Sequence, residues 1–246
     1  MTTPFTWSTL EVAVAAALVQ GVSPWTSLPA DFTELFPVAT SYAEGRICRD
    51  IVLLNNREQN YSLSTTASAR TVSLASITPI LVTVEGVALI TPSGTSSPLA
   101  GTREPFDAAS LDVIDQIWPQ ESATLAPNLA DFIGRYWAMR DDANIVIAPT
   151  PDAIYTVEIT GMFIPAPISA TNTSTYISTV YPDLLFAAVM KHMTGTLLRN
   201  FGAQADDPRQ SQSWEGVYQE LLGAARHEEL RRRGLAPDDP APPGKP

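Results

Sequence analysis

The side chains best suited to chemistry in this sequence are few and lie far apart. The two histidines, His192 and His227, have no second ligand at metal-binding spacing. A histidine on an apolar helix side is more often a core or interface residue that makes one hydrogen bond. Cys48 lies between Arg46 and Arg49, where positive charge favours a thiolate. A lone helical cysteine is more often a small buried apolar residue, so we predict neither a metal centre nor an activated thiol.

Carboxylates are plentiful and offer the main alternative for catalysis. Glu34, Glu44 and Glu85 could pair as general acid and base, although nothing in their spacing fixes the separation that such a pair needs. The sequence has no GxGxxG fingerprint, no phosphate-binding loop and no GxSxG elbow. We therefore predict a protein that is not an enzyme and has no cofactor, with a carboxylate-dependent hydrolase as the alternative.

A run of three arginines, 231–233, ends the last predicted helix and precedes a proline-rich segment. Cations at this position can simply complement the helix dipole. The other interpretation is a docking tip, because a basic helix end followed by a proline-rich tail can fold onto a partner.

Composition restricts the class of protein. The chain has 246 residues and a formal charge of −11, from 26 acidic and 15 basic side chains. Nucleic-acid binding requires Lys and Arg side chains that displace counterions from the phosphates. The acidic surface of this protein is therefore not expected to bind DNA tightly. A single cysteine excludes an internal disulfide framework. No apolar run is long enough to cross a bilayer, and we expect a soluble globular chain.

The first 56 residues have the periodicity of helices. Ser8 and Glu11 have the spacing of a capping box, and Gly21 is a candidate C-cap. Apolar residues then recur at three- and four-residue steps over 27–54, where Pro37 predicts a kink or a break. We expect the opposite side of this helix to be a solvated charged face, formed by Glu44, Arg46, Arg49 and Asp50.

The middle of the chain has the pattern of strands. Segments 71–75 and 79–90 are rich in β-branched residues, and 107–118 is predicted as a short helix with Asp107 as N-cap. Three further strands are predicted, and turn residues between them indicate an antiparallel meander. Their ranges are 133–140, 144–147 and 153–164.

The chain returns to helical spacing after residue 180. Pro182 and Asp183 are favourable in a first helical turn, so we predict a helix from this point to about Gly202 after an extended segment 178–180. Its run of six apolar residues should be buried on two faces. One face would pack within the chain, and a neighbouring subunit would bury the other. A last helix is predicted over 211–233.

These elements predict an α+β protein. Residues 1–56 and 178–233 would form a helical bundle, and 57–177 would be an inserted antiparallel β domain with the short helix near 107–118. The proline-rich segment 234–246 is predicted to be a flexible, disordered C-terminal tail.

Four stretches resemble one protein family. AEGRICRD at 43–50 resembles the first long helix of bacteriophage head-to-tail adaptor (neck connector) proteins. The stretch 135–169 is similar to their strand pair with a Pro-x-Pro turn, and 171–192 to the segment that opens their penultimate helix. WEGVYQELL at 214–222 looks like their closing helix. Order and spacing together make the resemblance more specific than any single stretch.

The resemblance implies a structural role in the virion neck, between capsid and tail, after assembly in the host cytoplasm. Such proteins form a homo-oligomeric ring, usually a dodecamer, under the portal protein. The ring extends the channel through which double-stranded DNA passes without specific binding, and it presents a docking surface to tail, tail-tube or nozzle proteins; no membrane is involved. A tail-tube or stopper protein of the neck remains an alternative.

Two sets of residues are predicted to make contacts in such a ring. The expected portal-binding set surrounds the basic helix tip and consists of Arg226, Leu230, Arg231, Arg232, Arg233 and Leu235. The expected subunit-packing set combines the apolar run with the charged helix face and consists of Leu184, Leu185, Ala188, Arg46, Arg49 and Glu44.

Overall fold

The computed structural model describes residues 3–18, 30–95, 98–127, 134–197 and 208–234. The chain divides into two compact units, a helical unit of residues 1–55 and 166–246 and a sheet unit of residues 56–165. The predicted α+β class is confirmed. Residues 166–177, which the sequence analysis placed in the inserted domain, group with the helices. The predictions for Gly21, for 198–202 and for the tail from Leu235 onward lie outside the described residues.

The described residues contain six α-helices and seven strands. The helices are α1 (Trp7–Leu18), α2 (Ala30–Asp50), α3 (Leu111–Ile117), α4 (Tyr176–Val180), α5 (Pro182–His192) and α6 (Pro208–Arg232). The strands are β1 (Arg57–Ser64), β2 (Thr71–Ser73), β3 (Ile80–Thr91), β4 (Thr102–Ala108), β5 (Tyr136–Asp141), β6 (Asn144–Ala148) and β7 (Thr156–Ile164). All the helices except α3 belong to the helical unit.

The first two helices differ in part from what their sequences predict. Thr6 and Thr9 form the reciprocal cap of α1, with the Thr6 N–H donating to Thr9 Oγ1 at 2.8 Å, so the predicted box of Ser8 and Glu11 is wrong. Helix α2 continues through Pro37 without a break. Pro37 removes one backbone donor, and the Thr40 hydroxyl donates to the carbonyls of Phe36 and Pro37.

The chain enters α5 through a short extra helix. The segment predicted to be extended, 178–180, is the end of α4, whose capping box joins Thr175 and Ser178. The predicted start of α5 is confirmed, with Pro182 in its first turn and Asp183 beside the helix N-terminus, but α5 ends at His192, before the predicted end. After His192 the backbone widens into a π-helical turn over Met193–Leu197.

Helix α5 lies at the centre of the helical core. It packs against α1, α2 and α6, and this chain alone covers its apolar residues. Buried on α5 are Leu184, Leu185, Ala187, Ala188, Val189 and Met190. The argument that a neighbouring subunit must cover Leu184, Leu185 and Ala188 was therefore wrong, because α2 and α6 supply the second cover.

The sheet unit is a single curled sheet with the strand order β1-β7-β3-β4-β5-β6-β2. All neighbours are antiparallel except β4 and β5, which pair in parallel. The predicted meander is only partly right: β5 and β6 form a hairpin, but β7 pairs with β1 and β3. Strands β1 and β4 had no strong sequence signal. Asp107 lies in β4, and Ser110 is the N-cap that accepts from the Val113 N–H of α3.

The alternation of β7 places apolar side chains in the core, but its other face is not solvated. Val157, Ile159 and Phe163 are buried on one face. Glu158 on the other face is also buried, and it accepts a hydrogen bond from Nε of Arg103 at 2.5 Å. Arg103 supplies the positive charge that a buried carboxylate needs.

Gly161 tests how closely β7 and β3 pack. A Cβ at this position would lie 2.3 Å from the carbonyl oxygen of Thr83, which is backbone and cannot move aside cheaply. Gly161→Ala should therefore lower the free energy of unfolding by about 2 kcal/mol in urea denaturation. Gly86→Ala on β3 is the matched control, because its Cβ would meet nothing closer than 4.0 Å. Equal stabilities of the two variants would contradict this packing.

Candidate docking surface at the end of the last helix

Helix α6 carries a buried stripe that ends in a carboxylate. Tyr218, Leu222, Ala225 and Glu229 recur at helical spacing, and all four are buried in the helical unit. A Glu at a core position needs hydrogen-bond donors around it. The end of α6 is therefore built around Glu229, which sequence analysis missed; its place in the stripe was the available signal.

Four donors surround Glu229. Its Oε2 accepts from the backbone N–H of Leu54 at 3.0 Å, and its Oε1 accepts from the Tyr181 hydroxyl at 2.7 Å. The Tyr176 hydroxyl and the Arg232 guanidinium also donate to Oε1, at 3.2 and 3.4 Å. One carboxylate thus fastens the end of α6 to the segment that follows α2 and to the junction of α4 and α5.

Two arginines of the predicted portal-binding set also serve this junction. Arg226 donates to the carbonyl oxygen of Asp50 at 3.0 and 2.8 Å, and Arg233 donates to that of Val52 at 2.8 Å. The last carbonyls of a helix have no partner within the helix, so Arg226 satisfies an acceptor at the end of α2, and Arg233 satisfies one two residues beyond it. Their first role is internal to the chain.

The remaining residues of that set differ in exposure. Arg232 pairs with Glu228 and Glu229 and lies over the ring of Tyr176. Arg231 is 69% exposed and pairs only with Glu228 among the described residues, at 3.5 Å. Leu230 is 45% exposed, and Leu235 lies outside the described residues. Within the described part of the chain, Leu230 and Arg231 are thus the members left open to a partner.

The charged face of α2 is only partly solvated. Arg46 binds Glu215 of α6 through two nitrogens, at 2.9 and 2.6 Å, and lies 4.1 Å from the ring centre of Tyr218. The hydrogen bond from Arg46 lowers the pKa of Glu215 to about 2. Asp50 accepts from the Tyr218 hydroxyl at 2.7 Å. These side chains form a polar interface between α2 and α6.

Glu44 is buried on the other side of α2, so its predicted solvation and its predicted subunit contact were wrong. It accepts from the Ile168 N–H at 2.6 Å and from the Thr175 hydroxyl. Burial raises the pKa of Glu44, and these two hydrogen bonds oppose that rise. Glu44 thereby holds the chain where it re-enters the helical unit.

His192 and Cys48 lie where the helices meet. The His192 ring is half-buried and meets the Tyr42 ring edge-on, with 4.0 Å between centroids. Burial, together with the positive charges of Arg46 and Lys191, lowers the pKa of His192 to about 4. Cys48 is half-buried and packs against the helical core, in the manner of a small apolar residue.

Two of the three glutamates considered for catalysis bind other groups of the chain, and the third is exposed. Glu44 is engaged as described, Glu34 is exposed, and Glu85 of the sheet unit pairs with Arg57 at 2.6 Å. Among the described residues, no group of three or more His, Cys, Asp or Glu is placed to hold a metal ion. No helix in that part of the chain is long and apolar enough to cross a membrane.

Removing the Glu229 carboxylate should weaken the helical unit strongly. Glu229→Ala leaves two tyrosine hydroxyls and the Leu54 N–H without their acceptor, so the free energy of unfolding should fall by about 3 kcal/mol. Glu228→Ala is the matched control, because this neighbour is exposed and its ion pairs should contribute about 0.5 kcal/mol or less. Urea denaturation measures both, and similar losses would contradict the role of Glu229.

His192 should make stability depend on pH. The unfolded imidazole takes up a proton near pH 6.5 and the folded one only near pH 4, so the unfolded state binds more protons between these values. Stability should therefore fall by about 2 kcal/mol as the pH drops from 6.5 to 4. His192→Gln should flatten this part of the curve, whereas His227→Gln, on the exposed side of α6, should not. Parallel curves for all three proteins would refute the assignment.

Comparison with known protein families identifies the family of this chain. The chain matches the SU10 adaptor protein family over residues 6–241, which includes every element of both units. None of the curated protein sequences compared with the chain matches it. The match confirms the resemblance to head-to-tail adaptors and indicates a structural bacteriophage protein that is a component of the virion. The chain therefore belongs to the SU10 adaptor protein family.

Proposed function

We propose that the protein forms a homo-oligomeric ring under the portal, extends the DNA channel and provides the surface on which the tail docks. The observation that carries this proposal is the family match over residues 6–241. The division of the chain into two compact units is compatible with the proposal, because separate units can bind separate partners.

The end of α6 is the proposed contact with the portal. Its internal arginines and Glu229 fix the direction of the helix end, and Leu230 and Arg231 remain exposed there. Residues 235–246 follow directly and contain five prolines. The proposed portal contact includes this segment, and the Glu229 junction gives it a fixed base.

The charge of the sheet unit favours a channel that DNA can slide through. Twelve acidic and five basic side chains lie between residues 56 and 165. All five arginines make ion pairs or hydrogen bonds within the unit: Arg57, Arg70, Arg103, Arg135 and Arg140. Arginines held in this way are poorly placed to displace counterions from phosphates, and the excess of carboxylates repels them.

The alternative neck roles receive less support. A tail-tube protein should be mostly strand, whereas α2 and α6 alone contain 21 and 25 residues. The family match is to an adaptor protein and not to a stopper. No contact in the described residues favours the hydrolase.

Truncation tests the proposed portal contact. Because Glu229, Arg232 and Arg233 stabilise the helical unit, a deletion from residue 227 would damage the fold, and the cut belongs after Gly234. The protein lacking 235–246 should melt like the full chain and lose at least about tenfold in affinity for the purified portal, because part of the proposed contact is gone. Light scattering and electron microscopy of the mixture measure binding and the ring.

A second variant separates the helix tip from the tail. Arg231→Glu in the full chain should weaken portal binding, whereas Arg140→Glu, an exposed arginine of the sheet unit, is the control and should not. Unchanged binding by both the truncated protein and Arg231→Glu would refute the assigned contact. Absence of any complex between the full chain and the portal would refute the proposed function itself.

A further inference from the structure

The outer side of α2 carries an open apolar groove. Val38 and Tyr42 are 53% and 55% exposed, and Gly45 and Arg49 continue the same side of the helix at helical spacing. Together with Pro37 and Ser41 they line a groove of about 530 Å³. A large exposed aromatic residue beside an open groove is typical of a protein-binding surface.

Packing among the described residues does not account for the glycine in this groove. A Cβ on Gly45 would meet no atom within 4 Å, so the fold itself does not require a glycine there. Glycine inside a helix costs about 1 kcal/mol relative to alanine. Arg49 lies 5.8 Å from the Tyr42 ring centre, and no carboxylate of the described residues forms an ion pair with it. The surface thus presents a recess, an aromatic ring and a positive charge.

The outer side of α6 has the complementary features. Gly216 and Gly223 are seven residues apart, which is about 10.5 Å along a helix, and a Cβ on either would meet no atom within 4 Å. Val217, on the same outer side, is 39% exposed. Glu220 lies between the two glycines, is exposed, and has no ion-pair partner in the described parts of the chain. This side is smooth and carries a negative charge.

Apart from the edge of the Tyr42 ring, which meets His192 at the end of α5, the two surfaces lie away from the helix that both α2 and α6 contact. The core sides of α2 and α6 pack with α5, through Ala43 and Ile47 on α2 and Tyr218 and Leu222 on α6. The groove and the glycine surface lie on the opposite sides of their helices, so they can meet only between two copies. Two grooves facing each other would bring Arg49 against Arg49, and two α6 surfaces would bring Glu220 against Glu220.

We propose that the α2 groove of one copy receives the outer side of α6 of the next copy, with Tyr42 over the glycines and Arg49 paired with Glu220. The contact is heterologous, and repeated around an axis it closes a ring. This inference rests on the proposed ring and names the surfaces that would build it. Arg49 alone is retained from the subunit-packing set predicted from the sequence, because Glu44 and Arg46 are occupied within the chain.

Directed cross-linking tests the pairing. In a Cys48→Ser background, one full-length protein carries Tyr42→Cys and a second, larger by a tag, carries Gly223→Cys. Under oxidation, with and without the portal, the mixture should give a disulfide-linked species with the summed mass, and neither protein alone should give a linked dimer. Both sites are exposed, and thermal melting checks that each variant folds.

Each cross-linking outcome bears on the inference. Linked dimers of the Tyr42→Cys protein alone would overturn it in favour of a symmetric contact. Absence of the mixed species while electron microscopy shows rings would overturn the assigned surfaces and leave the proposed function standing. Absence of rings under every condition, portal included, would overturn both.

A charge exchange provides an independent measurement. Arg49→Glu and Glu220→Arg should each weaken self-association by about tenfold, because each places like charges across the contact. The double variant should recover to within about threefold of the wild type. Arg140→Glu, a charge change in the sheet unit, is the control and should leave association unchanged. Association that responds to neither single variant would overturn the pairing.

Discussion

The helical unit depends on one buried carboxylate. Glu229 lies at the end of a 25-residue helix and accepts hydrogen bonds from the segment after α2 and from tyrosines at both ends of α4. Apolar packing would allow these elements to slide, because it has little directional preference. A carboxylate with fixed donors has a definite geometry, and removing it leaves buried polar groups without partners. The orientation of the helix tip follows from this constraint.

Local signals in the sequence were sufficient for much of the helical unit. The stripe of α2 and the Pro182–Asp183 start of α5 were predicted because a helix places its determinants within a few residues of each other. Partners distant in sequence could not be predicted in this way. Arg46 was assigned to solvent because Glu215 is 169 residues away, and the same holds for Glu44 and Thr175, 131 residues apart.

The sheet was less predictable for the same reason. The strand segments of β3 and β7 were identified, but β7 pairs with β1 and β3 rather than with β6, its neighbour in sequence. Turn residues indicate that two strands are close along the chain; they do not identify which strands pair. β1 and β4 alternate weakly and carry many polar residues, so their assignment depends on neighbours that are visible only in the folded unit.

The way in which the sheet unit begins and ends has an evolutionary consequence. Its first strand, β1, pairs antiparallel with its last, β7, and Arg57 lies opposite Met162, so entry and exit are adjacent. An insertion with neighbouring ends can be exchanged for another by recombination at two nearby points, while its host retains a complete core of its own.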